Sequence, residues 1–237
     1  MGKRAAALVL GVGEIGGPLA DVLSRGLEVA RLDIGLDPEI DEADFLHVCY
    51  PFQIDDFVGT TAAYVDRYRP SSVIVHSTVV PGTTAQIQER VPDTTAFYSP
   101  VRGKHAKMGD DLLRYRKFLA GPDDAYEAAA AHLSAGGLEV ERMAPVEGLE
   151  VAKLLETTYF GVLIAWAQEA ERFAKAVGAD YASVIRFVEE VPFLPDNYWP
   201  GFIGGHCVMP NIELLRTLRD SAILDAVKDS NERFAQG

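Results

Sequence analysis

The chain has 237 residues, 48% of them apolar, enough to bury a sizeable core in one large domain or two modest ones. Its 22 Lys and Arg stand against 35 Asp and Glu, a formal charge of -13 that repels a phosphate backbone and argues against nucleic-acid binding. Met1-Gly2-Lys3-Arg4 runs into too few apolar residues for a signal peptide or a membrane span, and Cys49 and Cys207 lack metal-ligand spacing. A cytoplasmic protein with no metal, no membrane segment and no disulfide framework is expected.

Residues 5–10 form a continuous apolar run closed by Gly11, as in a strand covered on both faces. Helical spacing begins at Ile15, with Leu19, Val22 and Leu23 apolar, and stops at Gly26. A strand over 27–32, an acidic link over 33–44, a strand over 45–50, a helix over 54–68 and a strand over 72–76 follow. Alternating units of this kind predict an α/β, Rossmann-like, doubly wound parallel sheet. A helix over 83–90, strands over 95–98 and 118–120, a helix over 124–135 and a strand over 138–143 complete a domain expected over 1–145.

From Glu147 the helical signal runs to Val177, roughly 30 residues or ~45 Å. A helix over 181–190, an irregular stretch over 192–205 and a final helix over 210–234 follow, giving a mainly helical domain over 146–237 built on one long helix. Apolar residues lie round much of that helix, among them Val151, Leu155, Phe160, Trp166 and Phe173. A homodimer through residues 147–177 is therefore expected.

Gly11-Val12-Gly13-Glu14-Ile15-Gly16-Gly17 fits G-x-G-x-x-G in the strand, turn and helix setting that gives the pattern meaning. Gly11 allows the tight turn, Gly13 lets a pyrophosphate approach the backbone, and Gly16 lets the helix pack on the strand. Asp33, 22 residues beyond Gly11, would accept ribose hydroxyls and repel a 2′-phosphate, so NAD is the expected cofactor. Glu14, Ile15, Pro51, Ser77 and Thr78 fill out the expected cofactor-binding set, the last two at the carboxyl edge of the sheet. The alternatives are a glycine turn that holds another nucleotide or nothing, and an Asp33 that is one more solvated acid beside Asp37, Asp41 and Asp44.

Gly204-Gly205-His206-Cys207 brings backbone close to a ligand with a thiol beside it; Cys207 is either a nucleophile or a small cysteine after a turn. Cys49, among apolar neighbours, reads as core. Lys153 on the long helix either snorkels from an apolar face or is held in a site. The hydroxyls of Ser77, Thr78, Thr83 and Thr84 hold a substrate or water, or cap a helix. The segment from Ser99-Pro100-Val101-Arg102 to Gly103-Lys104-His105 carries three potentially cationic groups, suited to an anionic substrate or to a solvated turn.

Together, in this order along the chain, these segments resemble the UDP-glucose / UDP-N-acetylmannosamine / GDP-mannose dehydrogenase family, and Gly204-Gly205-His206-Cys207 is similar to its GGHC-x-P-x-D stretch. The resemblance implies that Cys207 takes an aldehyde as a thiohemiacetal and then holds a thioester, that Lys153 stabilises the oxyanion and that Thr78 positions water, with two NAD reduced per alcohol. Asn211 stands where the family has a carboxylate, Val101 replaces the Glu of its Ser-Pro-Glu loop, and Thr157 replaces its asparagine. His206 or His105 would then move protons, and Cys207, Lys153, Thr78, Asn211, Thr157 and His206 form the expected catalytic set. A short member is implied, without the C-terminal nucleotide-sugar domain and without one strand-helix unit between Asp33 and Phe45.

Three functions follow. One is an NAD-dependent dehydrogenase acting on the CH-OH group of a small, anionic or sugar-derived molecule. The second is a two-electron enzyme of the β-hydroxyacid type using Lys153. The third is an NAD sensor or scaffold without turnover.

Overall fold

In the computed structural model, which describes residues 4–192, 194–196 and 198–236, the first apolar run is strand β1 (Arg4–Leu10). It lies between β2 (Val29–Leu32) and β3 (Glu42–Val48), and β4 (Ser72–Val75) and β5 (Thr95–Tyr98) extend the sheet in the order β2-β1-β3-β4-β5. Every pairing is parallel. Because side chains alternate along a strand, Leu8 and Leu10 enter one core with Leu46, Val48, Val73 and Val75, while Val9 enters the other with Ile74 and Phe97. Helices α2 (Phe57–Tyr68) and α3 (Thr83–Arg90) close the first; α1 (Gly16–Leu23), α4 (Met108–Arg114) and α5 (Tyr126–Ala135) close the second. This is the doubly wound sheet that the alternating pattern predicts.

Several boundaries differ from expectation. β3 begins at Glu42, not Phe45, because Arg4 of β1 pairs with Glu42 at 2.8 Å and Asp44 at 2.5 Å, so these acids belong to the sheet and not to a solvated link. No helix separates β2 from β3; the connection folds back where Asp33 and Leu36 exchange backbone hydrogen bonds. Helix α2 starts at Phe57, three residues after Ile54, where the Asp56 carboxylate accepts the Gly59 amide at 2.9 Å. The strands expected near 118–120 and 138–143 are β6 (Lys117–Leu119) and β7 (Val140–Arg142), which pair with each other. Ala120 meets Tyr98 of β5 antiparallel, a direction that cannot extend a parallel ladder. α4, a short polar helix with no counterpart among the expected elements, contributes Met108 and Leu112 to the core.

The chain divides into two compact units, residues 1–151 and 152–237. The long helix is α6 (Val146–Ala176), 31 residues, with its first turns in the first unit. In the second unit Leu154 and Ala165 of α6 share a core with Val208, Ile212 and Leu215 of α8 (Val208–Arg216) and Leu224 and Val227 of α9 (Ala222–Gln236). Helix α7 (Tyr181–Glu189), capped by Asp180, packs Tyr181 and Ile185 on Ala167.

The single final helix expected over 210–234 is therefore two. α8 ends where the Thr217 hydroxyl bonds the Leu214 carbonyl, and α9 starts with the Asp225 amide on the Ser221 carbonyl. Apolar periodicity is the same for one helix or a helical hairpin; only the hairpin puts Leu215 and Leu224 in one core and pairs Arg216 with Asp225 (3.0 Å) and Lys228 with Glu213 (2.5 Å).

Gly161 lies where α6 meets α8, and a Cβ on it would sit 2.4 Å from Val208 Cγ1. Gly161→Leu is expected to lower stability by about 1–3 kcal/mol through overpacking. A urea midpoint that falls without a change in slope is the expected result, and an unchanged midpoint would refute the close approach.

Candidate active site

The carboxyl ends of β1, β2, β3 and β4 present the residues singled out for cofactor binding along one edge of the sheet, and the strand order changes direction between β1 and β3. Gly11 has φ +82° and lies so close to the backbone of Tyr50 that a Cβ would stand 2.9 Å from its nitrogen. A Cβ on Gly16 would fall 1.8 Å from the Gly11 carbonyl oxygen, so α1 rests directly on the turn. Gly13 is different: a Cβ there would meet no protein atom within 4 Å. Packing does not call for glycine at that position, and its backbone stays open to an outside group.

The Asp33 carboxylate is fixed beside the turn by the Val12 amide (2.7 Å) and the Ile34 amide (2.7 Å), one on each oxygen. Each oxygen keeps a second lone pair for another donor. The Ser77 hydroxyl donates to the Tyr50 carbonyl at 2.6 Å, tying the end of β4 to the segment that carries the exposed Pro51. Glu14 is exposed; Ile15 and Thr78 are half-buried. The half-buried Cys49 is pushed up to about 12 by burial, so its thiol stays protonated and its role is packing, as expected.

The turn after Thr78 depends on Glu150, an acid that no motif singles out. This fully buried carboxylate accepts the Gly82 amide (2.6 Å), the Thr84 amide (3.0 Å) and the Thr84 hydroxyl (2.7 Å). Thr84 thus serves the fold, and Thr83 likewise donates to the Val80 carbonyl at 2.6 Å. In the basic segment Val101 is buried, the Ser99 hydroxyl donates to the Phe118 carbonyl (2.7 Å), and Arg102 lies over the Phe118 ring while donating to the Arg116 carbonyl (2.6 Å). Arg102 is therefore engaged in holding its own loop. The side chain of His105 lies outside the described residues.

In the second unit the Lys153 stem is covered while its ammonium meets the exposed carboxylate of Glu156. The lysine side chain is 14% exposed and its Nζ donates to Glu156 Oε2 at 3.1 Å; the Thr157 hydroxyl donates to the same oxygen at 3.3 Å. Glu156 is thus a carboxylate at the lysine that belongs to no motif. Cys207 is exposed and unpaired at the N-cap of α8, after Gly205 with φ +78° and the exposed His206. Asn211 is buried one turn into α8, its amide on the Cys207 carbonyl at 3.1 Å. Leu154 and Val208, the neighbours of Lys153 and Cys207, share one apolar cluster, so the two helices that carry these groups pack together.

Buried amides fix the approach to Cys207. Asn231 accepts the Ile203 amide (2.7 Å) and donates to the Ile203 carbonyl (3.0 Å); Gln168 donates to the Gly201 carbonyl (2.7 Å) and accepts the Ser230 hydroxyl (2.8 Å). None of these residues belongs to a motif, and their partners are distant in sequence, so only the structure identifies them.

Residues 147–233 match the model described as the UDP-glucose/GDP-mannose dehydrogenase family, central domain. The chain is 23% identical over 229 residues to a UDP-N-acetyl-D-mannosamine dehydrogenase of Methanocaldococcus jannaschii, covering 85% of this chain and 53% of that protein. It is 26% identical over 196 residues to the Pyrococcus horikoshii protein of the same name, covering 76% and 46%. The chain thus spans about half the length of the curated relatives it matches. Among solved structures, the UDP-D-ManNAc dehydrogenase of Pyrococcus horikoshii aligns with TM-score 0.83 at 21% identity, over 98% of this chain and 68% of that one. The 3-hydroxyisobutyrate dehydrogenase of Mycobacterium tuberculosis aligns with TM-score 0.73 at 15% identity, over 100% and 94%. These likenesses establish the fold.

Two glycines of one turn are expected to respond in opposite ways. Gly16→Ala drives a Cβ into the Gly11 carbonyl and is expected to cost about 1–3 kcal/mol. If this turn holds NAD, Gly13→Ala leaves the melting temperature unchanged while weakening NAD binding about tenfold or more by calorimetry, a loss of ~1.4 kcal/mol. Full-strength binding by the Gly13 variant would remove the turn from the cofactor site.

Proposed function

We propose that this chain, whose residues 147–233 match the UDP-glucose/GDP-mannose dehydrogenase central-domain model, belongs to that family and is an NAD-dependent dehydrogenase oxidising the CH-OH group of a sugar or nucleotide sugar. The observation that carries this reading is the glycine turn, where Gly13 leaves open backbone beside a fixed Asp33 carboxylate. Gly11, Gly13, Glu14, Ile15 and Gly16 would hold the pyrophosphate at the start of α1, and Asp33 would accept the ribose hydroxyls and exclude a 2′-phosphate. Pro51, Ser77 and Thr78 would border the same edge. Bound NAD supplies the acceptor for hydride leaving the substrate carbon.

Glu156 would take the proton of the alcohol, and the Lys153 ammonium beside it would stabilise the alkoxide that forms when the Cys207 thiolate adds to the aldehyde carbon. Loss of hydride from that carbon leaves a thioester on Cys207. Water would add to it and break the C–S bond, releasing the acid and returning the thiol. Asn211 cannot act as the base for that step, so Glu156, His206 and the Thr157 hydroxyl are the groups left to move the proton.

A second reading is favoured by the buried, aprotic Val101 and the buried amide of Asn211 where the family resemblance places acids. In it the reaction stops after one hydride transfer, with Lys153 as the acid-base group. In either case the exposed faces of Leu155, Tyr159, Trp166 and Phe173 on α6, the last two 65% and 69% exposed, would be covered by a second copy in a homodimer. A reducing cytoplasm suits the free Cys49 and Cys207. Among the described residues, no helix is long and apolar enough to cross a membrane.

NADH formed per molecule of substrate, screened over nucleotide sugars and small hydroxy acids, separates the readings. Two supports the thioester route, one the shorter oxidation, and none with tight NAD binding a sensor without turnover. Cys207→Ala should abolish acid formation while leaving NAD affinity unchanged; acid formed at the parent rate would exclude the thioester.

A further inference from the structure

Beneath the carboxyl edge three imidazoles form a line that no function assigned above uses. His47 of β3 is fully buried, His76 after β4 is 2% exposed and His132 of α5 is 8% exposed. His47 Nδ1 lies 2.9 Å from His76 Nε2, and His47 Nε2 lies 2.9 Å from His132 Nε2. At the inner end His76 Nδ1 is 2.6 Å from the Ser99 carbonyl. The 3%-exposed Lys117 donates to the same carbonyl (2.5 Å) and to the Pro100 carbonyl (2.8 Å), its Nζ 3.2 Å from His76 Nδ1. The nitrogens face one another in pairs at hydrogen-bond distance, whereas a metal needs them converging at about 2.0–2.1 Å on one point.

We propose that His76 and Lys117 are positioning residues for the Ser99-Pro100 turn, and that the neutral His47–His132 relay behind His76 makes their hold on it dependent on protonation.

Proton counting gives the mechanism. A carbonyl only accepts, so His76 carries its hydrogen on Nδ1 and accepts at Nε2. His47 must then donate from Nδ1 and accept at Nε2, and His132 must donate from Nε2. All three rings are neutral, with one hydrogen in each contact. An added proton fits without disturbance at His132 Nδ1, the ring nitrogen that none of these contacts uses. A second has to enter an N···N contact, placing two hydrogens between nitrogens 2.9 Å apart, and the line breaks.

The charged and titratable groups facing the line are Lys117 from β6, and Cys49 and Asp44 from the strand of His47 and its end. Burial first, then the neighbouring imidazoles and Lys117, hold His47 and His76 well below the usual 6.5; burial, partly offset by Asp44, lowers His132 to about 4. Unfolded imidazoles bind protons from about pH 6.5 downward while the folded ones do not, so stability is intact above that pH and falls as pH drops toward 4 and below.

Ring-nitrogen NMR of the whole chain tests this. Near neutral pH His47 and His76 are expected as neutral Nδ1–H tautomers with coupling across both N···N contacts. On acidification from pH 6.5 through 4 and below, the amides around Val101 and Arg102 should lose exchange protection before those of β1 and β3. His132→Gln, which keeps a donor toward His47, should reduce proton uptake on unfolding by one while retaining the turn. An Nε2–H tautomer at His76, or a turn that opens only with the whole sheet, overturns the proposal. It rests on the dehydrogenase reading only in treating this turn as a border of the substrate site. If that holds, KM rises over the same pH range with kcat little changed. An inactive protein with the NMR signature intact would defeat the dehydrogenase reading alone, and an active one without the signature would defeat the relay alone.

Discussion

The approach of Gly16 to the Gly11 carbonyl is the constraint on which the first unit depends. With no Cβ between them, α1 starts directly on the end of β1 and lays Leu19, Val22 and Leu23 against Val9 and Ile74. Two more glycines fix its far end: a Cβ on Gly26 would lie 2.0 Å from the Ala135 carbonyl oxygen, and one on Gly136 would lie 2.9 Å from the Leu23 Cα. The end of α1 therefore sits on the end of α5, and α5 carries His132 to within hydrogen-bond distance of His47 in β3. A turn read as a phosphate cradle thus also sets the packing of the helices on that face of the sheet.

Elements whose signal is local were legible in the sequence. β1, α3 and β5 fall within a residue of their expected limits because each is a short run bounded by Gly, Pro or polar residues, and α6 matches because nothing interrupts its period. Elements whose limits depend on distant partners were not. Glu42 and Asp44 look like solvent-facing acids until Arg4, some forty residues earlier, is placed beside them. The break between α8 and α9 leaves no trace in periodicity, since a hairpin buries the same positions as a continuous helix.

The candidate site divides in the same way. Gly13, Asp33, Lys153 and Cys207 stand in motifs whose chemistry can be read from the residue types. Glu150, Glu156, Gln168 and Asn231 are ordinary residues whose importance lies in what they touch. Arg102 is a cation whose guanidinium lies over Phe118 and donates to the Arg116 carbonyl, contacts that its charge alone does not reveal.

The buried polar side chains share one physical origin. A ligand-binding edge needs irregular backbone, and irregular backbone leaves amides and carbonyls without ladder or helix partners, at a cost of about 1–3 kcal/mol for each one buried unsatisfied. Here the Gly82 and Thr84 amides go to Glu150, the Tyr50 carbonyl to Ser77, and the Ser99 and Pro100 carbonyls to His76 and Lys117. In the second unit Asn231 and Gln168 do the same for Ile203 and Gly201 ahead of Cys207. An apolar side chain at any of these positions would fill the space but leave backbone unpaired. The polar groups under the candidate site are therefore what the presence of a site demands, and their concentration behind the strand ends and before Cys207 marks where this chain holds irregular backbone rigid.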